Sequence, residues 1–187
     1  MASSYSTDLK LELMVTGENS GTWGDKTNTN LNLLQQAIAG YQEVSIAGGA
    51  QTTALAMTDA TISNARNAVI KFTGTITGNQ IVTIPDSIEK TYTIINGTSG
   101  AFTVQFKTVS GSGFTFSTTD KGTRLVYSNG TDVVDVNALF TTINQFTLPS
   151  SDGTSGQAIV TNGSGTLSFA DAGVSTGKAI AMAIVFG

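Results

Sequence analysis

Cysteine and histidine are both absent from the 187-residue sequence. Their absence excludes disulfides, Ser-His-Asp and Cys-His nucleophile systems, and the usual zinc and iron–sulfur ligand sets. Charge is also scarce, because only 12% of the residues are charged, against about 25% in ordinary globular proteins. Nine Lys and Arg face thirteen Asp and Glu, so the net charge is −4 and no basic surface for nucleic acid is expected. The composition favours a non-catalytic structural or binding protein without a cofactor or metal.

Long hydrophobic runs are missing as well. The longest apolar run, residues 179–186, is shorter than the roughly 20 residues that a membrane-spanning helix needs. The first ten residues are polar and contain no apolar core, so we expect no signal peptide there. The sequence therefore predicts no membrane insertion.

The central part of the chain, residues 42–136, predicts a series of short strands. Apolar and polar residues alternate at 68–72 and 102–106, and Leu125 and Tyr127 repeat the same period of two. Asn-Gly pairs at 96–97 and 129–130 predict turns, because both residue types accept positive φ. Strands at about ten-residue spacing predict a mainly β fold, an antiparallel β-sandwich. The predicted strands are 42–46, 53–57, 68–74, 80–84, 91–95, 101–109, 113–117, 123–127 and 132–136.

Residues 1–41 predict a short N-terminal arm followed by a helix. The spacing of Leu9, Leu11 and Leu13 suits an extended arm, and a turn-rich loop follows at 16–25. Thr29 or Asn30 is the predicted N-cap, and Gly40 is predicted to end the helix in a left-handed conformation. One face of that helix carries Leu31, Leu34, Ala37 and Ile38.

Trp23 is the only tryptophan in the sequence. Tryptophan dominates the energetics of many protein interfaces, so Trp23 is a candidate anchor for a partner. The alternative is that Trp23 packs against the Leu31 and Leu34 face of its own helix. The sequence leaves both interpretations open.

Residues 137–187 predict an extended C-terminal β stalk that begins with a linker. A stretch at 138–144 is compatible with a helix, residues 146–156 have linker composition, and a hairpin is predicted around Asn162 and Gly163. An isolated hairpin is marginally stable in water, and a strand at 179–186 would be apolar on both faces. We therefore expect this region to bring copies of the chain together. The oligomerisation candidates are Ile159, Leu167, Phe169, Ile180, Met182, Ile184 and Phe186.

Three acidic residues, Asp120, Asp132 and Asp135, are the candidates for a carboxylate site. Paired carboxylates serve glycosidases and calcium sites. No Asp-rich calcium loop is present, and acidic residues are sparse. Solvated surface carboxylates are the simpler interpretation, and no catalytic, cofactor or metal residue is assigned.

Several short motifs resemble the tail-fibre and virion structural proteins of marine bacteriophages, notably those of cyanobacteria. The resemblance covers about residues 8–136. It rests on the sequences GTWG at 21–24, TNTNL at 27–31, QAI at 36–38, ARN at 65–67, IEKTY at 88–92 and VYSNGTDVV at 126–134. A second resemblance, to a stalk repeat of phage fibres, rests on LPSSDGTSGQ at 148–157 and TNGSG at 161–165.

The resemblance implies a virion-attached, usually trimeric fibre without enzymatic activity. It divides the chain into an attachment region at 1–41, a β-sandwich at 42–136 and an oligomerising region at 137–187. The implied partners are two further copies of the chain, phage tail or capsid proteins, and a downstream fibre or host receptor. The expected location is the virion, and the chain length suggests a short fibre or a fibre adaptor. The virion-docking candidates are Leu9, Leu11, Leu13, Trp23, Leu31, Leu34 and Ile38.

Two other functions stay open on the sequence. A capsid-surface decoration or short spike would bind host glycans through loops rich in Asn, Thr and Ser, although few Tyr and one Trp are available for stacking. A depolymerase would have to use Asp132 and Asp135.

Overall fold

The computed structural model describes residues 3–136, 142–143, 146–171 and 184–185. The chain divides into two compact units, residues 1–137 and residues 138–187. The mainly β prediction is confirmed, because strands account for most of the regular structure and one α-helix is present in the described residues. No helix in the described ranges has the length and apolar character needed to cross a membrane.

The first unit begins with a short hairpin and the helix. Strands β1 (Ser4–Tyr5) and β2 (Glu12–Leu13) pair antiparallel, and α1 spans Trp23–Ala39. A turn of 3-10 helix at Asn64–Arg66 lies between the second and third strands that follow α1. Those strands are β3 (Tyr41–Ser45), β4 (Gln51–Ala54), β5 (Val69–Thr75), β6 (Gln80–Ile84), β7 (Glu89–Ser99), β8 (Val104–Thr108), β9 (Gly113–Phe116), β10 (Thr123–Asn129) and β11 (Val133–Asp135).

Two sheets are built from these strands, and the pairing differs from the antiparallel arrangement predicted. One sheet has the order β11-β10-β7-β5-β3 and the other has the order β4-β6-β8-β9. The pairs β3–β5, β5–β7, β4–β6 and β6–β8 are all parallel. From β3 to β8 the chain alternates between the sheets, so each strand lies beside the strand one full circuit earlier and runs the same way. Antiparallel pairing is confined to β9, β10 and β11 at one end of the sheets.

One hydrophobic core is shared by both sheets. In the first sheet Ile70, Phe72 and Ile94 are fully buried, and in the second sheet Val82 and Phe106 are fully buried. The Phe106 ring lies 6.0 Å from the Phe72 ring and 5.6 Å from the Tyr92 ring, centroid to centroid, which joins the two sheets across the core. Fully burying side chains of this size contributes roughly 1.5–3 kcal/mol each.

We call the two sheets and the loops that join them the body. Of the two Asn-Gly pairs of the body, one forms the predicted turn and the other does not. Asn129 and Gly130 form the predicted turn, in which Gly130 has a φ of 86° and the Asn129 side chain accepts from the amide of Thr131. Asn96 and Gly97 lie inside β7 instead of in a turn. The buried Asn96 side chain donates to the carbonyl of Asp120 and accepts from Thr98, so its polar groups are satisfied within the fold.

Strand β10 has the predicted period of two, but the residues that face the core are not the ones that the pattern of Leu125 and Tyr127 suggested. Leu125 and Tyr127 are exposed, whereas Val126 and Ser128 are fully buried. Because a strand presents alternate residues to opposite faces, the period alone does not say which set faces the core.

Helix α1 begins earlier than predicted. Its N-cap is Thr22, and the predicted caps, Thr29 and Asn30, lie inside it. The hydroxyls of Thr27 and Thr29 donate to the carbonyls four residues earlier, so these residues meet their polar needs within a helix. Gly40 ends the helix with an extended backbone, at φ −70° and ψ 140°, and not in the left-handed conformation.

The second unit contains two short hairpins. Strands β12 (Thr142–Ile143) and β13 (Phe146–Thr147) pair antiparallel. The predicted hairpin is confirmed as β14 (Gln157–Thr161) and β15 (Leu167–Asp171), with Asn162 and Gly163 in its turn. The helix predicted at 138–144 is wrong at 142–143, which are a strand, and its other residues lie outside the described ones.

Gly48 and Gly100 both lie beside Ile76, in neighbouring circuits of the chain around the two sheets. Substituting each glycine measures how tightly these circuits pack. Gly48 and Gly100 both have positive φ, 109° and 103°, but only a Cβ at Gly100 would meet the Ile76 carbonyl oxygen, at 2.2 Å. We predict that Gly48→Ala lowers the free energy of unfolding by about 1–3 kcal/mol through backbone strain. Gly100→Ala should cost roughly 1–3 kcal/mol more because backbone must move. Urea denaturation measures the free energy of unfolding of both variants. An equal decrease for Gly48→Ala and Gly100→Ala would contradict the close packing of Gly100 on Ile76.

Candidate functional site

Helix α1 exposes a row of apolar side chains. Trp23 is 65% exposed, Leu31 is 56% exposed and Ile38 is 77% exposed, while Leu34 between them is half-buried. At 3.6 residues per turn these four side chains fall within roughly 80° of the helix circumference. We call these four residues the apolar stripe. The exposure of Trp23 and Leu31 disfavours the interpretation in which Trp23 is buried on its own helix.

A side of α1 next to the apolar stripe fastens the N-terminal arm. Leu33 is fully buried there, and Lys26 forms an ion pair of 2.9 Å with Glu12 of β2. The Asn30 side chain bonds the backbone of Glu12 twice, accepting from its amide at 3.0 Å and donating to its carbonyl at 2.9 Å. The arm is therefore attached to the helix through Lys26, which the sequence analysis did not single out, and through Asn30, which it predicted only as an N-cap.

Glu12 is a buried carboxylate with several partners. Its side chain accepts from the Ser3 hydroxyl at 2.8 Å in addition to the ion pair with Lys26. The Lys26 ammonium, followed by the Ser3 hydroxyl, lowers the pKa of Glu12 below its usual value, and burial opposes this shift. The same pair raises the pKa of Lys26.

Arg66 joins the arm, the helix and the body. Its side chain is fully buried, and its Nε donates to the Leu9 carbonyl at 3.0 Å. Its two terminal nitrogens donate to Gln36 Oε1 and to the carbonyls of Thr58 and Thr61. A planar guanidinium suits this task because its N–H groups diverge in one plane. The sequence did not predict this role for Arg66. Arg66 entered the sequence analysis only as part of the ARN motif at 65–67.

The predicted docking candidates are therefore placed in two ways. Trp23, Leu31 and Ile38 are exposed on the helix, and Leu13 of β2 is 50% exposed. Leu9, Leu11 and Leu34 are half-buried.

The hairpin β14–β15 brings its three predicted candidates to one face. Ile159 lies directly opposite Phe169, and Leu167 lies opposite Thr161, which has the same orientation as Ile159. Ile159 is 56% exposed, and Leu167 and Phe169 are half-buried. We call Ile159, Leu167 and Phe169 the hairpin face.

The C-terminal candidates are described only in part. Ile180, Met182 and Phe186 lie outside the described residues. Ile184 is 78% exposed and Val185 is 69% exposed, and both have helical backbone, which differs from the strand predicted there.

The acidic candidates lie at or near the ends of strands, and Asp120 and Asp132 bind neighbouring groups there. Asp120 forms an ion pair of 2.7 Å with Arg124 and accepts from the Gly122 amide, and Arg124 lowers the pKa of Asp120. Asp132 accepts from the amide and the hydroxyl of Ser112, which lower its pKa. Asp135 is buried at the end of β11. In the described ranges no three His, Cys, Asp or Glu side chains converge as metal ligands would.

Lys90 has a half-buried amine at the start of β7. Burial lowers its pKa to about 8. Its ammonium lies 4.1 Å from the Tyr92 ring centre and donates to the carbonyls of Asn67 and Thr91. These contacts tie β7 to the end of the 3-10 turn.

Comparison with protein-family models, curated proteins and solved structures finds no match for the chain.

The ion pair between the buried Glu12 and the partly exposed Lys26 predicts an acid-sensitive arm. Because the pKa of Glu12 is lowered, its contribution to stability is present above the usual Glu value of about 4.3 and is lost as the pH falls through the folded-state pKa. We predict that Glu12→Gln destabilises the arm at pH 7. The stability of the arm in this variant should also fall less than in the wild-type chain between pH 7 and pH ~3. Fluorescence of the single tryptophan, Trp23, follows the transition.

Asp171→Asn is the matched control, since Asp171 lies in the other unit. Its pH profile should follow that of the wild-type chain. Parallel profiles for the wild-type chain and Glu12→Gln would contradict the role given to Glu12.

Proposed function

We propose that this chain is a non-catalytic structural protein of a bacteriophage virion, of the tail-fibre type. It acts as a short fibre or fibre adaptor, attaches to the virion by its N-terminal region and assembles as a trimer. The proposal starts from the resemblance at residues 8–136 and 148–165. The observation that carries it furthest is the apolar stripe, an exposed row of large side chains on a helix that is fastened to the body.

Attachment to the virion is supported by the exposure of the apolar stripe on a helix that is bound to the N-terminal arm. Trp23, Leu31 and Ile38 stay in water in the single chain, while Lys26 and Asn30 on the neighbouring side of the helix bind the arm. A large exposed apolar patch on a soluble protein is typical of an interaction surface. Because the helix is fixed before a partner arrives, little conformational freedom is lost on docking.

The trimer half is supported by the hairpin face. A two-stranded hairpin is marginally stable alone, and Ile159 is left more than half exposed. Packing three copies of this face around a threefold axis would bury Ile159, Leu167 and Phe169 of each chain. The gain is roughly 1.5–3 kcal/mol for each side chain that becomes fully buried, before ordering costs.

A charge on the hairpin face should dissociate the trimer. We predict that the wild-type chain sediments as three chains at micromolar concentration. Ile159→Asp should sediment as one chain, because a carboxylate cannot be buried there without a partner. Analytical ultracentrifugation gives the mass directly.

Ser168→Asp is the matched control, because Ser168 lies on the same hairpin with the opposite orientation to Phe169. It should remain a trimer. A wild-type monomer, or a trimer that survives Ile159→Asp unchanged, would count against assembly through the hairpin face.

A charge on the apolar stripe should prevent attachment without affecting assembly. We predict that Trp23→Ala combined with Ile38→Asp leaves the chain trimeric but removes most of it from purified virions. The reason is that the large exposed anchors of an interface carry most of its binding energy. Immunogold labelling and quantitative mass spectrometry of the particles measure incorporation.

Val109→Asp changes an exposed apolar residue of the body outside the stripe, and this control should be incorporated normally. Absence of the wild-type chain from virions would refute the proposed function. Normal incorporation of the stripe variant would refute the role of the stripe alone.

A further inference from the structure

A groove lies between the second half of α1 and the polypeptide that carries the 3-10 turn. Its volume is about 280 Å³. Four of the residues that line it have carboxamide side chains: Asn32, Gln35, Gln36 and Asn67. Tyr41 and Ile62 supply apolar surface, and none of the described residues that line the groove is charged.

Two of the carboxamides are held in fixed orientations by Ser63. The Ser63 amide donates to Gln36 Oε1 at 3.5 Å, and the Ser63 carbonyl accepts from Asn67 Nδ2 at 3.4 Å. Gln36 Oε1 also accepts from the buried Arg66 at 3.3 Å, and Asn67 Nδ2 also donates to the Asn64 carbonyl at 3.1 Å. Gln36 is therefore left with its Nε2 donor and Asn67 with its Oδ1 acceptor, neither of which has a partner among the described residues.

Gly40 lets the Asn67 side chain approach the end of α1 closely. A Cβ at Gly40 would lie 2.4 Å from Asn67 Oδ1 and 2.2 Å from the Gln36 carbonyl oxygen. The extended φ of Gly40 suits any residue, so close approach rather than backbone conformation demands glycine here. The groove thus has a fixed donor and a fixed acceptor beside a floor without a side chain.

An aromatic ring stands at the edge of the groove. Tyr41 is 53% exposed, and its hydroxyl donates to Glu43 Oε1 at 2.6 Å. Glu43 is paired in turn with Lys71 at 3.0 Å, which restrains the ring. The exposed face of a restrained ring is a platform for a flat apolar surface.

We propose that this groove binds a neutral saccharide. A sugar hydroxyl both donates and accepts, so adjacent hydroxyls of one ring satisfy the Gln36 donor and the Asn67 acceptor together. The apolar C–H face of the same ring lies on Tyr41. Asn32 and Gln35 make no side-chain hydrogen bond with the described residues and add adaptable contacts at the rim.

The chemistry of the groove distinguishes a saccharide from other ligands. Ionic ligands would find no opposite charge among the lining residues. An extended peptide also presents the N–H and C=O of every second residue on one side, so a neutral peptide is the competing ligand that the experiment below tests. The inference is independent of the proposed assembly, because it concerns residues outside the hairpin face and the apolar stripe.

Titration of the full chain with glucose, galactose, mannose and N-acetylglucosamine tests the inference. Isothermal calorimetry up to about 50 mM sugar covers the weak affinity expected from a few hydrogen bonds and one ring contact. Saturation-transfer NMR reports which sugar protons lie on the protein. We expect at least one sugar to bind, with its axial ring protons saturated most strongly.

Two variants locate the site. Gln36→Glu keeps the oxygen that Arg66 and Ser63 bind but replaces the Nε2 donor with an acceptor, so we expect at least tenfold weaker binding without loss of thermal stability. Tyr41→Ala should weaken binding by a similar factor. Tyr127→Ala, which removes an exposed tyrosine from β10, is the control and should bind normally.

The inference is overturned if none of the four sugars binds, or if Gln36→Glu and Tyr41→Ala bind as well as the wild-type chain. It is also overturned if a neutral peptide of alternating Thr and Val binds the groove and displaces the sugars at lower concentration. The mass of the assembly is measured separately, so failure here leaves the trimer proposal to its own test.

Discussion

The buried guanidinium of Arg66 is the contact on which the N-terminal region depends. It gathers the Leu9 carbonyl of the arm, Gln36 of the helix and two carbonyls of the body around one planar group. Without those donors, several buried acceptors would lose their partners, which is costly in a low-dielectric interior. The same contact fixes the orientation of the Gln36 amide in the groove.

Scarcity of charge shapes how the chain presents these surfaces. Threonine, serine and carboxamide residues occupy positions that charged side chains take in most proteins, and three ion pairs form among the described residues. Glu12 binds Lys26, Glu43 binds Lys71 and Asp120 binds Arg124. Docking of an uncharged partner then requires little desolvation of ions, which favours burial of the apolar stripe and the hairpin face.

Much of the local structure was predictable because it depends on neighbours along the chain. Each of the nine strand segments predicted in 42–136 overlaps an observed strand, and β6 has the predicted bounds. The turn at Asn129 and the hairpin at Asn162 also follow from local rules. Asn96 and Gly97 were misplaced because a long-range bond from Asn96 to Asp120 satisfies the asparagine inside a strand. The helix start was misplaced because hydroxyl groups of Thr27 and Thr29 bond the preceding turn.

The amino-acid sequence by itself determined the class of the fold, the approximate positions of its strands and the composition of the surfaces proposed to bind. Only the tertiary structure decided that β3, β5 and β7 run parallel, that Val126 rather than Leu125 faces the core, and that Gln36, Gly40 and Asn67 line one groove. The physical reason is that periodicity and turn propensity act over a few residues, whereas strand direction, face and side-chain convergence are settled by burial of groups far apart in the chain.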